Sequence, residues 1–354
     1  MALIRKRRLT EQQERRMQAQ QERRQHDLDD SQQIEGLVVA HYGRQLEVQA
    51  LSVPEQQTPP VVNEGEPEPF WRPVVQGEIW RCHTRTNLEL LVTGDRVRWQ
   101  ADSNTGLGVI NAMHPRTSLL TRPDRYHKVK PVAANVSLIV IVFAPLPVPS
   151  PQLIDRYLVA CEQADIKPLL VLNKSDLLEQ NDGLYQLLDE YQALGYETML
   201  TSIGNSGSTQ GLNDLKARLA DQTVVFVGQS GVGKSSLINL LAPNALQKTN
   251  IISENSALGQ HTTTTTKLIA LPEGGAMIDS PGIREFGVWH LDVDAIRSGF
   301  VEMQDYYGTC KFRNCMHRQE PGCALIAASQ NGEILDRRLK SMNRLEAEVR
   351  EKEG

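Results

Sequence analysis

The chain has 354 residues, 40% of them hydrophobic and 23% charged, with a formal net charge of −5. That length holds two to four domains with cores of their own, and the mild negative balance excludes a globally basic nucleic-acid binder, so any such role rests on local patches. The longest apolar run, Val136–Ala144 broken only by Ser137, suits a buried strand and is too short to cross a membrane; the polar N-terminus lacks a signal-type stretch. A soluble, cytoplasmic, monomeric protein with no membrane partner is the expectation.

Residues 1–34 carry Arg5, Lys6, Arg7, Arg8, Arg15, Arg16, Arg23 and Arg24 among Gln and Glu, with few apolar residues to pack. This composition predicts a disordered basic arm, either a solubilising tail or an RNA-contacting segment.

Residues 35–115 predict a small barrel of the OB type. Gly36–Ala40, Leu46–Leu51, Glu78–His83, Asp95–Trp99 and Gly108–Met113 read as short strands between turn signals, and Ser52–Pro73 as a long Pro- and Glu-rich loop. OB barrels bind single-stranded nucleic acid through basic and aromatic surface residues. Arg81, His83, Arg85, Arg96, Arg98 and Trp99 are the candidates, against a barrel that serves only as spacer or protein contact.

Residues 116–292 predict an α/β domain. Buried-strand runs at Val136–Phe143, Pro168–Leu172, Val224–Val227 and Ala276–Ile278 alternate with helical stretches, the pattern of a helix-covered parallel sheet.

The first chemical motif in this domain is Asn173-Lys174-Ser175-Asp176, directly after Pro168–Leu172. It is the guanine-reading N-K-x-D. The Asp176 carboxylate accepts from two N–H groups on the guanine edge; adenine presents an acceptor there and would leave a buried charge unpaired. The Lys174 stem can lie along the base, and Thr201 and Ser202 are placed to support it from the next loop.

Gly228-Gln229-Ser230-Gly231-Val232-Gly233-Lys234-Ser235, continued by Ser236, matches the phosphate loop G-x-x-x-x-G-K-[ST] between a strand and a helix. The glycines let backbone N–H groups wrap phosphates, and the helix N-terminus adds a favourable dipole. Lys234 is expected to bridge the β- and γ-phosphates and Ser235 to ligate Mg²⁺.

Pro243–Lys267 is polar and contains His261 followed by five threonines. A threonine at such a position completes the Mg²⁺ shell when GTP is bound, and the register leaves Thr262 and Thr263 both open. Asp279-Ser280-Pro281-Gly282 then ends an apolar strand. Asp279 is expected at Mg²⁺ and the Gly282 N–H at the γ-phosphate. Ile283 stands where many GTPases carry a water-orienting Gln, so His261 is the candidate to orient the attacking water, against an ordinary loop histidine. Slow intrinsic turnover, raised by a partner that orders the loop, follows.

The motif order is permuted. Most GTPases run from phosphate loop to guanine motif; here NKSD precedes the phosphate loop, the threonine run and DSPG. Relocated termini leave such a sheet unchanged. The segment after DSPG now leads straight into the C-terminal region, a route for signalling nucleotide state.

Residues 293–354 predict a small, mainly helical zinc domain. Cys310, Cys315, His317 and Cys323 supply three thiolates and an imidazole, a donor set for tetrahedral, structural Zn²⁺. Lys311, Arg313, Arg318, Arg337, Arg338, Lys340 and Arg344 form a second local basic surface.

VTGDRV at Val92–Val97, NKSD before GQSGVGKSS, HTTTTT, DSPGIREFG at Asp279–Gly287 and C-x4-C-x-H-x5-C together resemble the ribosome small-subunit-dependent GTPase A family (RsgA, also called YjeQ) over about residues 35–330. The resemblance implies an OB domain, a circularly permuted GTPase domain and a zinc domain. It also implies GTP hydrolysis stimulated by the small ribosomal subunit, contact with its rRNA, and a role in its late maturation, with no DNA partner. The chain departs from the family in the long Ser52–Pro73 loop and the arginine-rich arm. Two other classes remain: a translation or transport GTPase, and a structural RNA-binding protein with a vestigial GTP site.

Overall fold

A computed structural model describes residues 32–43, 45–57, 71–85, 88–102, 105–123, 128–178, 183–203, 209–243, 266–279 and 291–353. The basic arm through residue 31, the centre of the 52–73 loop, His261, Thr262, Thr263, Gly282 and Ile283 lie outside the described residues. The chain divides into two compact units, one of residues 1–91 and 95–115, the other of 92–94 and 116–354.

The first unit is a closed five-stranded barrel. β1 (Ile34–Tyr42), β2 (Gln45–Ser52), β3 (Ile79–Thr84), β4 (Arg96–Ala101) and β5 (Gly108–Met113) pair in the cyclic order β1–β2–β3–β5–β4–β1, antiparallel except β3–β5. Closure leaves no free edge, and side-chain alternation sends Val38, Leu46, Val48, Trp80, Val97, Trp99 and Ile110 inward. Trp99 is therefore core, its ring centroid 5.5 Å from that of Trp80, and not a surface platform for bases. Its alternation partners Arg96 and Arg98 split likewise: Arg96 is exposed, while Arg98 pairs with Glu35 at 3.5 Å. Arg81, Arg85 and Arg96 form the exposed remainder of the predicted basic set, with His83 half-buried.

The second unit opens with a hairpin of β6 (Leu119–Pro123) and β7 (Val129–Ala134). There follow β8 (Leu138–Phe143), α1 (Pro151–Ala164), β9 (Lys167–Leu172), α2 (Gly183–Ala193), β10 (Glu197–Leu200), a short pair β11 (Ser202–Ile203) and β12 (Thr209–Gln210), α3 (Leu212–Leu219), β13 (Thr223–Val227), α4 (Lys234–Leu241), β14 (Lys267–Ala270) and β15 (Ala276–Asp279). The sheet order is β10–β9–β8–β13–β15–β14, parallel except for β14. Both faces are covered, so the central strands read as unbroken apolar runs. Alternation along β8 settles the layers. Ile139, Ile141 and Phe143 face a core with α1 and α2; Leu138, Val140 and Val142 face one with α3 and α4.

α1 starts where its sequence dictates. Ser150 caps it by accepting from the Leu153 N–H at 3.3 Å, and Pro151 fills the first turn.

Beyond β15 come α5 (Val293–Ser298), a 3-10 turn at Val301–Tyr306, α6 (Ala324–Gln330) and α7 (Asp336–Glu353). Ile296, Phe300, Met303, Leu325, Leu339, Met342 and Leu345 share one core with Leu158 of α1 and Tyr191 of α2. The C-terminal residues thus extend the layer on the α1 face of the sheet. Among the described residues no helix is long and apolar enough to cross a membrane.

Candidate functional site: phosphate loop, guanine reader and thiolate cluster

The predicted nucleotide motifs gather at the C-terminal ends of adjacent parallel strands, where open α/β sheets bind ligands. Gly228 follows β13, Asn173 follows β9, Thr201 follows β10, and Asp279 ends β15. A φ of +135° and a missing Cβ let Gly228 lie against β8, since a Cβ there would stand 2.0 Å from the Val142 carbonyl oxygen. Gly233, at φ +95°, opens α4; a Cβ on it would stand 2.3 Å from Asn173 Nδ2. Lys234 Nζ sits within the loop, donating to the carbonyls of Gly228 at 2.7 Å and Gln229 at 2.6 Å.

The guanine motif is bolted to the phosphate loop. Asn173, 2% exposed, donates from Nδ2 to the Val232 carbonyl at 2.9 Å. Lys174, with φ 58°, donates from Nζ to the carbonyls of Gly231 and Leu146, each at 2.7 Å. From the β10 end, Thr201 Oγ1 donates to Asn173 Oδ1 at 3.0 Å and Ser202 Oγ to Asp176 Oδ1 at 2.7 Å. The Ser202 hydroxyl thus restrains one carboxylate oxygen of the otherwise exposed Asp176.

Three contributors escaped the sequence reading. The Leu146 carbonyl, in the loop before α1, has no side-chain signature. Tyr157 of α1 is buried, which raises its phenol above the ordinary range, and its hydroxyl lies on the side of the Gly228 backbone. Thr93 is the third: its Oγ1 donates to the Thr266 carbonyl at 3.1 Å, and its own carbonyl accepts from the Ala134 N–H at 3.0 Å. Thr93 thereby anchors the end of the threonine run; its Val92–Val97 motif was the available signal.

The four predicted metal ligands converge. Their donor atoms all lie within 4.8 Å of one another, with Cys310 Sγ 3.9 Å from Cys323 Sγ and 3.6 Å from His317 Nδ1, and His317 Nδ1 3.4 Å from Cys323 Sγ. A tetrahedron with Zn–S near 2.3 Å has edges of about 3.8 Å, so the donor set fits Zn²⁺. The Ala324 N–H donates to Cys310 Sγ at 3.4 Å. Glu320 ties the loop by accepting from the Met316, Arg318 and Gln319 N–H groups, and backbone hydrogen bonds, first that of its own N–H and then these, hold its carboxyl down at about 2.

The predicted C-terminal basic surface is reduced. Arg338 has no exposure and is fully ion-paired, and Arg337 pairs with Glu190 at 2.5 Å. Lys311, Arg313, Arg318, Lys340 and Arg344 remain exposed.

A protein-family model described as RsgA GTPase matches residues 113–289. Curated relatives named small ribosomal subunit biogenesis GTPase RsgA include that of Hahella chejuensis, 48% identical over 321 residues, 90% of this chain and 85% of the relative. Another, from Pseudomonas putida, is 48% identical over 318 residues, 89% of this chain and 86% of its own. Among solved structures, YjeQ from Thermotoga maritima matches with TM-score 0.65 at 28% identity, covering 90% of this chain and 98% of that one. YloQ, titled a circularly permuted GTPase, matches with TM-score 0.65 at 27% identity over 92% and 98%. This chain belongs to the RsgA GTPase family. It is a GTP hydrolase built from an OB-type barrel, a circularly permuted GTPase fold and a C-terminal segment whose Cys and His residues can hold zinc. Guanine nucleotide with Mg²⁺ is the family's ligand. The sheet makes the permutation explicit: β14–β15–β13 carries the threonine-run end, Asp279 and the G-x-x-x-x-G-K-S segment, while β8–β9–β10, earlier in the chain, carries the N-K-x-D segment.

Proposed function

We propose that this chain hydrolyses GTP while bound to the small ribosomal subunit and its rRNA, late in that subunit's maturation, as a cytoplasmic monomer. Asn173, Lys174 and Asp176 read guanine, supported by Thr201 and Ser202. The backbone of residues 228–236 cradles the phosphates, with Lys234 bridging the β- and γ-phosphates. Mg²⁺ is held by Ser235 and Asp279, with Thr262 or Thr263 completing its shell; the Gly282 N–H meets the γ-phosphate, and His261 orients the attacking water. Cys310, Cys315, His317 and Cys323 hold a structural Zn²⁺. Division of labour follows the chain: the barrel at 35–115 and the zinc segment at 293–354 meet RNA, and residues 116–292 hold nucleotide.

The observation that supports this reading is the Asn173–Val232 and Lys174–Gly231 pair of contacts, which joins the N-K-x-D loop to the G-x-x-x-x-G-K-S loop. Ile283, in place of a water-orienting Gln, is why turnover should depend on a partner. The decisive measurement is GTP hydrolysis by the purified chain alone, with small subunits and with large subunits. Stimulation confined to small subunits is expected; equal rates in all three would remove the ribosomal part of the proposal.

A further inference from the structure

α7 sends a guanidinium into the nucleotide-binding layer. Arg338 NH1 donates to Asp155 Oδ1 of α1 at 2.8 Å, and Nε and NH2 donate to the two Glu302 oxygens at 2.7 and 3.0 Å. The Phe300 ring centroid lies 4.5 Å from Arg338 Cζ. Asp155 is 1% exposed and accepts also from the Tyr191 hydroxyl at 2.7 Å. Every charge in this knot is hydrogen-bonded across elements distant in sequence. Because an uncompensated buried charge is costly, the knot admits one placement of α1.

The same helix touches the nucleotide loops. Asp155 and Tyr157 are two residues apart, about 200° around the helix, so they point to opposite sides. Asp155 faces Arg338; Tyr157 lies on the side of the Gly228 backbone. The loop entering α1 supplies the Leu146 carbonyl to Lys174 Nζ at 2.7 Å and sets Pro147 beside Gly231. The helix and the loop that enters it therefore carry contacts to both nucleotide loops and to the C-terminal segment.

We propose that Arg338 and Asp155 are positioning residues for guanine-nucleotide binding: the pair fixes α1, and α1 fixes the phosphate loop and Lys174. This rests on the nucleotide-site reading above. It places a route from the C-terminal segment to the nucleotide through α1, separate from the connection that follows Asp279. Linkage makes the route reciprocal, so nucleotide bound at the loops steadies α7.

The test uses the full chain and a fluorescent GDP analogue, below the melting temperature. Asp155→Asn and Arg338→Lys, which keeps the charge but loses the fork that grips Glu302, should each weaken GDP binding about tenfold, mostly through faster release. Arg156→Gln removes the Arg156–Glu348 pair on the same two helices, away from the buried knot, and should leave affinity unchanged. Lowered melting temperatures with unchanged GDP affinity in the first two variants would overturn the proposal, leaving the pair a structural clamp. Hydrogen exchange on the parent protein covers variants that do not fold. GDP should slow exchange of α7 amides near Arg338 more than those of α6, and equal behaviour of the two helices overturns the proposal. Absence of GDP binding by the parent protein would instead remove the nucleotide-site reading on which it stands.

Discussion

At the scale of single residues, the proposed guanine reader is a carboxylate held by a hydroxyl. Ser202 Oγ donates to Asp176 Oδ1 at 2.7 Å, leaving the second oxygen and the remaining lone pairs for a base edge. Asp176→Asn replaces an acceptor-only group with one that also donates. GTP binding should fall about a hundredfold, the value of about two charge-assisted hydrogen bonds, while xanthosine triphosphate, with a carbonyl where guanine has its amino group, should bind better than before. Competition against a fluorescent nucleotide measures both, and unchanged preference for guanine in the variant would remove Asp176 from the reader. The motifs and the strand ends that carry them were legible because N-K-x-D and G-x-x-x-x-G-K-S are local. Trp99 and Arg338 were not. Each looks like a surface binder in sequence, and each is buried by partners far along the chain: Trp80 in the barrel, Asp155 and Glu302 at α7. Tyr157 was missed for the same reason, since nothing near it in sequence indicates Gly228.

At the scale of elements, strands were legible and their surroundings less so. Gly108–Met113 was read from sequence with the bounds of β5, and the runs at 168–172 and 224–227 fall within β9 and β13. Strands buried on both faces announce themselves by unbroken apolar runs. The β6–β7 hairpin was not foreseen, because Thr121, Arg122 and Lys130 interrupt its apolar pattern. The metal loop shows how an element with little apolar content is held. Glu320 accepts three backbone N–H groups from the stretch between Cys315 and Cys323, so it sets the curvature that brings the ligands together. Glu320→Gln should weaken Zn²⁺ retention about tenfold, in line with other groups that orient metal ligands without touching metal. A chelator competition with colorimetric Zn²⁺ readout checks this, and parent-like retention would show that the cysteines impose the loop by themselves.

At the scale of the whole molecule, the order of motifs and the extent of the core have to be reconciled. The permuted order was legible because motif positions are simply numbers along a chain. The sequence reading gave residues 293–354 a domain of their own, resting on the thiolate cluster. The structure places them in one compact unit with residues 116–292, their apolar side chains sharing a core with α1 and α2. This could not be read from α7, whose Arg, Glu and Lys content suggests a solvated helix; its buried face is Leu339, Met342, Leu345 and Val349, with Arg338 and Glu346 buried through ion pairs to Glu302, Asp155 and Arg297. The physical consequence is testable. Each large apolar side chain removed from water contributes about 1.5–3 kcal/mol, and a domain's net stability is about 5–15 kcal/mol. Ile296, Phe300, Met303, Leu325, Leu339, Met342 and Leu345 together contribute about 10–21 kcal/mol of gross burial, a quantity of the size of that whole margin. A chain ending at residue 292 should therefore aggregate or lose its cooperative melt, and not merely lose zinc and partner binding. Size-exclusion chromatography and thermal melting of that shortened chain decide the matter. A soluble monomer with a sharp transition and parent-like GDP affinity would mean that the GTPase sheet closes its core unaided, and that the shared apolar layer contributes little to stability.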